Sequence, residues 1–257
     1  MLFFTDFRRK RLKRMPFPPD WLHILETDVE LYGRLPEADR AELQEHITVF
    51  LAEKRFEGGG EFAITDRVRV VIAAQACLLL LHRDARYFPG LSSIIVYPDE
   101  YLAPLVEVDE AGIVTEGTDR RSGEYVTEGA LVLSWTDVRR EGLDVHGAYN
   151  VVLHEFAHQL DAEEGITAVP AAGDRPAEVY QVLEREYRHL KRDVRRGWAT
   201  FLDPYGTENL AEFFAVATEA FFETPAALRD AHRELYEELG RLYRQDPAGW
   251  HAASPDA

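Results

Sequence analysis

A helical stretch with two histidines and a glutamate near its centre constrains this chain more than any other feature. The stretch reads Asn150-Val-Val-Leu-His154-Glu155-Phe-Ala-His158-Gln-Leu-Asp161. Four residues along an α-helix correspond to about 400°, so the two imidazoles project within roughly 40° of each other, one turn apart. The apolar turn before His154 predicts a helix that is buried on one side. Unpartnered imidazoles and a carboxylate would be costly there, so the pattern predicts that they surround a bound ion.

The spacing of the two histidines predicts a zinc site. Both imidazoles can reach one tetrahedral Zn²⁺ at about 2.0–2.1 Å. Glu155 lies on the flank of that face, where it can take a proton from an attacking water and return it to the leaving amine. We therefore predict His154 and His158 as zinc ligands and Glu155 as the general base of a peptidase. A purely structural zinc site is disfavoured, because such sites usually fill four positions and favour cysteines, and no cysteine is near the motif.

A third ligand is expected, because catalytic zinc usually has three protein ligands and one open position. Glu212 ranks first, since it lies in the otherwise apolar helical stretch 210–217, where a carboxylate needs a partner. Glu219, seven residues further on and on the same helical face, is predicted to support the ligands from behind. Asp161 is predicted either to do the same or to cap its helix. Glu178 ranks third: its spacing from the second histidine suits a thermolysin-type ligand, but it opens a strongly polar stretch.

The rest of the chain predicts an α+β fold in which helices surround a small, mostly antiparallel sheet. Apolar residues recur at helical spacing in 21–56, and 68–82 is apolar nearly all round, which predicts a central buried helix. Further helices are predicted at 149–164, 177–195, 208–223 and 225–244. Strands are predicted at 93–97, 112–114, 125–127 and 130–135. The sequence predicts one domain at 21–250, preceded by a basic, proline-ended arm (1–20) and followed by a tail (251–257).

Composition narrows the partners and the location. The net charge of −17 argues against a nucleic-acid partner, because phosphate contacts need a basic face, and it would also repel an anionic membrane. The one cysteine, Cys77, can form no intramolecular disulfide, which fits a reducing compartment. The N-terminal residues carry no apolar stretch of the kind that precedes secretion. We therefore expect a cytoplasmic protein that acts on a peptide or protein substrate.

The quoted residues resemble a known family. His154-Glu155-Phe156-x-His158-x-x-Asp161, followed by Tyr205-Gly206 and by Glu212-Phe213-Phe214-Ala215, is similar to the bacterial Mlc titration factor A family of zinc peptidases. It is more distantly similar to the catalytic domain of anthrax lethal factor. Shorter matches to the bacterial family occur in order along nearly the whole chain, among them Pro16-Phe17-Pro18, Phe56-Glu57-Gly58 and Val96-Tyr97-Pro98.

The resemblance implies a zincin-like fold and a gluzincin-like site. In such a site His154, His158 and Glu212 hold zinc, Glu155 is the general base, and Tyr205 donates a hydrogen bond to the tetrahedral intermediate. The resemblance also implies aminopeptidase-type activity on small substrates. A further implication is binding to a transcriptional repressor resembling Mlc, which acts in the glucose system.

Two functions therefore remain open. The leading one is peptide-bond hydrolysis. The alternative is a regulator that sequesters a transcriptional repressor, with peptidase activity secondary or latent. A further hypothesis is that the predicted strand just upstream of the motif helix, around Leu131–Trp135, presents a sheet edge to an extended peptide.

Overall fold

The computed structural model describes residues 2–99, 101–108, 114–121, 123–126, 129–144, 147, 149–171 and 177–250. The helices of the first half are α1 (Leu2–Lys13), α2 (Pro19–Asp28), α3 (Glu30–Arg34), α4 (Glu37–Glu53) and α5 (Asp66–Leu78). Those of the second half are α6 (Trp135–Leu143), α7 (Val151–Glu164), α8 (Glu178–Arg195), α9 (Leu210–Glu223), α10 (Pro225–Ala231) and α11 (Arg233–Tyr243).

Helix α5 forms the centre of the first half. It begins where the Thr65 hydroxyl accepts a hydrogen bond from the Val68 amide, which satisfies one of the free donors of the first turn. Every residue from Val70 to Leu78 is buried. Two helices of the first half of the chain, α2 and α4, and two of the second half, α6 and α7, pack against this helix. The predicted central helix is confirmed, although it ends at Leu78 rather than at residue 82.

The basic N-terminal segment is helical from residue 2 to residue 13 and packs against α4. The guanidinium of Arg9 donates two hydrogen bonds of 2.8 Å to the carboxylate of Glu53. A second arginine, Arg8, donates to the carbonyl oxygen of Ala52. These contacts attach α1 to the C-terminal end of α4.

The main sheet contains β1 (Arg55–Gly58), β2 (Ser93–Tyr97), β5 (Gly123–Val126) and β6 (Ala130–Ser134) in the order β1-β2-β6-β5. Strands β1, β2 and β6 are parallel, and only β5 runs antiparallel to its neighbour. The prediction of a mostly antiparallel sheet is therefore wrong for this sheet. The chain between β1 and β2 is long enough to contain α5, and such a crossover returns the next strand in parallel. The sequence pattern missed β1, whose four residues follow α4 almost directly and end in a run of glycines.

Gly58 ends β1 for a steric reason. A Cβ atom at this position would lie 1.8 Å from the carbonyl oxygen of Phe62, so the backbone can approach this closely only without a side chain.

The other two strands, β3 (Tyr101–Val108) and β4 (Val114–Arg121), pair antiparallel as a separate hairpin. The strand predicted at 112–114 contributes its last residue to β4, and the one predicted at 125–127 contributes its first two to β5. Residues 112, 113 and 127 lie outside the described residues, as does the predicted tail at 251–257.

Strand β6 is not an edge. It pairs with β2 on one side and with β5 on the other, so its backbone groups are already used, and the hypothesis that it presents an edge to a peptide is wrong. Within the described sheet the edge strands are β1 and β5.

The second half builds the layer that carries the motif. Helix α7 packs against α9 and against β5 and β6, so it lies between the sheet and the C-terminal helices. Its Phe156 ring lies 4.8 Å from Phe88 and 5.7 Å from Phe50, measured between ring centroids, which joins the two halves in one core. The single helix predicted at 225–244 is two helices, α10 and α11, with His232 between them in a non-helical conformation. None of the described helices is both long and apolar enough to cross a membrane.

Candidate metal centre

Helix α7 presents the motif from a fixed position. It begins at the cap residue Asn150, whose side-chain oxygen accepts a hydrogen bond of 3.0 Å from the Leu153 amide. It ends at Gly165, which has a positive φ of 67° and closes the helix in the left-handed conformation that glycine adopts without strain. Because Leu153 and Phe156 are fully buried, the helix cannot rotate without exposing apolar surface. His154 and His158 are left on the partly exposed face toward α9.

Helix α9 supplies carboxylates from the opposite side. Its cap residue Asn209 accepts hydrogen bonds from the amides of Ala211 and Glu212, which fixes the first turn. Most of α9 is apolar and buried, but Glu212, Glu219 and Glu223 follow one another at spacings of seven and four residues. Such spacings place all three on one face of a helix.

The structure brings His154, His158 and Glu212 together. The Nε2 atoms of the two histidines are 3.2 Å apart. The Glu212 Oε2 atom lies 3.0 Å from His154 Nε2 and 3.2 Å from His158 Nε2. The three side chains form a group whose potential ligand atoms all lie within 4.8 Å of one another.

This arrangement fits a zinc ion in both chemistry and size. Two imidazole nitrogens and a carboxylate oxygen are a common donor set for catalytic zinc. Ligand atoms at about 2.0–2.1 Å from a tetrahedral zinc lie about 3.3–3.4 Å from one another, close to the separations of 3.0 to 3.2 Å among these three atoms. An ion could therefore be held with only small side-chain shifts.

The electrostatics of the group favour a cation. Burial alone lowers the pKa of His154, but its hydrogen bonds to the carboxylates of Glu212 and Glu219 outweigh burial and raise that pKa to about 10. Burial raises the pKa of Glu212, and the hydrogen bonds from the two histidines more than reverse the effect, lowering it to about 2. The site thus stabilises positive charge, and a metal ion competes with the proton for the same imidazole nitrogen.

Glu219 contacts His154 at the ring nitrogen that does not face the other two side chains of the group. Its Oε1 atom lies 2.7 Å from His154 Nδ1, so the Nε2 atom of that ring points to the other ligands. Its Oε2 atom accepts a hydrogen bond of 2.6 Å from the Asn150 amide. A carboxylate on the second nitrogen of a ligand histidine fixes the tautomer and the orientation of the ring.

Asn150 also contacts Glu223, and neither residue was predicted from the sequence to belong to the site. The Asn150 side-chain amide donates a hydrogen bond of 2.8 Å to Glu223 Oε1, four residues beyond Glu219. Two signals could have indicated them: an asparagine directly before an apolar helical run is a favoured cap, and Glu223 shares the helical face of Glu212 and Glu219.

Glu155 lies beside the group, on the same helix. Its side chain is 8% exposed. Burial raises its pKa, while the neighbouring His154 and His158 oppose the shift. A carboxylate with a raised pKa accepts and releases a proton more readily near neutral pH than an ordinary surface glutamate does.

Tyr205 lies next to His154, one of the three side chains of the group. It belongs to a short 3₁₀ turn, Pro204–Thr207, which packs against α9, and its amide donates a hydrogen bond to Asp203. The Tyr205 ring centroid is 6.1 Å from that of His154, and the side chain is 54% exposed. The aromatic ring therefore lies near His154 and remains partly open to solvent.

Two other candidates are not among the possible ligands and make their contacts elsewhere. Asp161 accepts hydrogen bonds from the amide and the hydroxyl of Thr167, so it ties the end of α7 to the following loop. Glu178 starts α8 at the surface, with a side chain 78% exposed and 4.0 Å from Arg241. Neither carboxylate belongs to the group that could hold a metal.

Comparison with known proteins agrees with these features. The family model described as glucose-regulated metallo-peptidase M90 matches residues 4–244. An uncharacterized protein of Synechocystis sp. (strain ATCC 27184 / PCC 6803 / Kazusa) is 38% identical over 248 residues, covering 94% of this chain and 90% of the relative. Mlc titration factor A of Yersinia pestis (strain Pestoides F) and that of Yersinia pseudotuberculosis serotype O:1b (strain IP 31758) are each 28% identical, covering 86% of this chain and 83% of the relative. The resemblance to the Mlc titration factor A family is confirmed, and this chain belongs to the glucose-regulated metallo-peptidase family M90.

Proposed function

We propose that this protein is a zinc-dependent peptidase whose metal ligands are His154, His158 and Glu212. The observation that carries the proposal is the convergence of these three side chains, from helices α7 and α9, within 4.8 Å. Because the chain belongs to the M90 family, it is a metallopeptidase, which is a kind of hydrolase. The identity of the metal as zinc rests on the donor set and on the ligand separations.

A bound zinc ion would supply Lewis acidity, polarising a scissile carbonyl and lowering the pKa of a water toward about 7. Glu155 acts as the general base: it takes a proton from the attacking water and delivers it to the leaving amine. Tyr205 donates a hydrogen bond to the developing oxyanion, a contribution worth a few kcal/mol in well-formed sites. Glu219 keeps His154 oriented for its ligand role.

The substrate is proposed to be a peptide or protein, with aminopeptidase-type activity on small substrates, and the location to be cytoplasmic. The catalytic unit is proposed to be one zincin-like domain at 21–250, with residues 1–20 and 251–257 as flanking segments. The Yersinia relatives named Mlc titration factor A favour a second candidate function, the binding of a transcriptional repressor resembling Mlc, in which hydrolysis is secondary or latent.

The substitution Glu155→Gln tests the first function and separates it from the second. It removes the base but leaves the three proposed ligands, so zinc content should stay the same. Hydrolysis of aminoacyl 4-nitroanilides and of an N-blocked peptide mixture should fall by about 10²–10⁴-fold, the usual contribution of a positioned acid–base group. Repressor binding, measured by a pull-down with purified Mlc, should survive the substitution if it is a separate function.

A matched control is Glu237→Gln, the same change on the exposed face of α11, where the Glu237 side chain is 45% exposed. This variant should hydrolyse the same substrates at the wild-type rate. Undiminished hydrolysis by Glu155→Gln, at equal zinc content, would mean that Glu155 is not the base.

A further inference from the structure

Helix α8 carries a basic groove on one face, some distance along the chain from the proposed ligands. The groove encloses about 500 Å³ and is lined by Tyr187, Arg188, Lys191, Arg192, Arg195 and Arg196. Arg188, Lys191, Arg192 and Arg195 follow one another at spacings of three, one and three, which places them on one broad side of the helix, and Arg196 is the residue that caps its C-terminal end.

Two cations of this basic groove, Lys191 and Arg196, are positioned by aromatic rings without being neutralised. The Lys191 ammonium donates a hydrogen bond of 3.0 Å to the Tyr187 hydroxyl and lies 4.9 Å from the centre of that ring. The Arg196 guanidinium lies 4.8 Å from the centre of the Trp198 ring. Aromatic faces position a cation without cancelling its charge. Among the residues that the structure describes, no carboxylate forms an ion pair with Lys191, Arg195 or Arg196.

The remaining two cations pair only with neighbours on their own helix. Arg188 contacts Glu184, and Arg192 contacts Asp193. Exposed pairs of this kind are worth about 0–1 kcal/mol, so an incoming anion can replace them at little cost. The lining of the groove itself contains no acidic residue.

The chain has 46 acidic and 29 basic residues, and the cluster on α8, like the basic segment of α1, runs against this balance. The favourable interaction of cations with the C-terminal end of a helix accounts for Arg195 and Arg196. It does not account for Arg188 and Lys191, because that effect fades within the last turn. Mutual repulsion among five cations is unfavourable, and the chain has ample carboxylates that could have offset it. The groove is therefore better explained by an anionic ligand than by helix electrostatics alone.

The groove also borders the candidate metal centre. The Tyr187 hydroxyl donates a hydrogen bond of 3.3 Å to the carbonyl oxygen of Thr207, in the turn that carries Tyr205. The Tyr187 ring centroid lies 6.0 Å from that of Phe213, the residue that follows Glu212. Tyr187 thus connects the lining of the groove to the turn that carries Tyr205 and to the helix that carries Glu212.

We propose that the basic groove binds an acidic segment of a peptide or protein. Arginine side chains bind carboxylates in two-pronged geometry, and clusters of them recognise acidic motifs. An acidic peptide fits better than a nucleic acid, because the net charge of −17 repels a long polyanion over much of the surface, whereas a short acidic segment can lie within the groove. The groove has room for only a few residues. Binding does not depend on hydrolysis, so it stands apart from the peptidase proposal.

Fluorescence anisotropy of a labelled hexaglutamate peptide, titrated with the full chain at about 0.1 M salt, tests this inference. The double variant Lys191→Ala/Arg195→Ala should weaken binding at least tenfold. The matched control Arg55→Ala/Arg139→Ala removes the same charge at exposed side chains of β1 and α6, neither of which lines the groove. This control should bind within about twofold of the wild type, because surface charges beyond about 10 Å are screened at 0.1 M salt.

Three results would overturn the proposal. The first is the absence of hexaglutamate binding by the wild type under these conditions. The second is an equal loss in the control variant, which would mean that overall charge, not the groove, attracts the peptide. The third is tighter binding of a six-nucleotide oligothymidylate than of hexaglutamate, lost in the Lys191→Ala/Arg195→Ala variant, which would assign the groove to nucleic acid.

Discussion

At the scale of single residues, the surroundings of Glu212 and Glu178 lead to opposite expectations for metal binding. Glu212 lies 3.0 and 3.2 Å from two imidazole nitrogens, whereas the Glu178 side chain is 78% exposed. Glu212→Ala should reduce zinc affinity by more than the roughly 10–100-fold typical of losing a group that only supports a ligand, while Glu178→Ala should keep wild-type zinc content. Elemental analysis of the dialysed proteins, with circular dichroism as a check of folding, measures both. Retained zinc in Glu212→Ala together with loss in Glu178→Ala would replace the proposed third ligand.

The site could be predicted from the sequence where local geometry decides it. Helical phase alone placed His154 and His158 on one face, and the structure has their Nε2 atoms 3.2 Å apart. Glu212 stood out because a carboxylate in an apolar helix needs a partner. Asn150 and Glu223 did not stand out, since their contact joins residues 73 positions apart and only the packing of α7 on α9 brings them together.

At the scale of elements, the contact between Asn150 and Glu223 joins the start of α7 to the end of α9, and the burial of Glu223 at this junction should make stability depend on pH. Burial raises the pKa of Glu223 to about 8, reinforced by the nearby Glu219 and Glu141 and opposed by the hydrogen bond from Asn150 and by Arg34. In the unfolded chain a glutamate has a pKa of about 4.3. The folded state therefore holds the extra proton between these two values. The stability that this proton provides is fully present below about pH 4.3 and is lost as the pH rises through about 8.

Glu223→Gln tests this linkage, because glutamine can still accept the hydrogen bond from Asn150 but does not titrate. Relative to the wild type, the variant should gain on the order of 2–3 kcal/mol of unfolding free energy between pH 5 and pH 8. Urea denaturation at a series of pH values measures the difference, and Glu237→Gln on α11 serves as the exposed control. Parallel curves for wild type and Glu223→Gln would show that Glu223 is ionised in the folded protein.

Elements themselves were predictable to different degrees. The buried helix α5 could be predicted because its sequence is apolar on nearly all sides, and such a helix is stable only when it is buried all round. The parallel pairing of β1, β2 and β6 was missed because strand direction depends on the crossover between strands, and a short strand such as β1 leaves little pattern of its own. The break between α10 and α11 was missed for a related reason: His232 departs from helical geometry without a proline or glycine to mark it.

At the scale of the whole molecule, the proposed ligands connect α7 to α9, so a bound ion should stabilise the fold as well as serve catalysis. A ligand that binds only the folded state adds about 2.7 kcal/mol when its concentration is 100 times its Kd. For a chain of this size each kcal/mol raises Tm by roughly 2–4 °C. Zinc at that concentration should therefore raise the Tm of metal-free protein by about 5–10 °C, as measured by differential scanning calorimetry after chelation and dialysis.

A control variant is needed because the 46 acidic residues offer many weak binding sites for a divalent cation. Glu212→Ala keeps nearly all of these carboxylates and removes one proposed ligand, so its Tm should rise by less than about a third as much at the same zinc concentration. Magnesium, which prefers six oxygen ligands, should leave the wild-type Tm nearly unchanged. An equal rise in wild type and Glu212→Ala would assign the stabilisation to scattered surface carboxylates. A rise confined to the wild type and to zinc would assign it to the junction of α7 and α9, where folding and the proposed chemistry depend on the same three side chains.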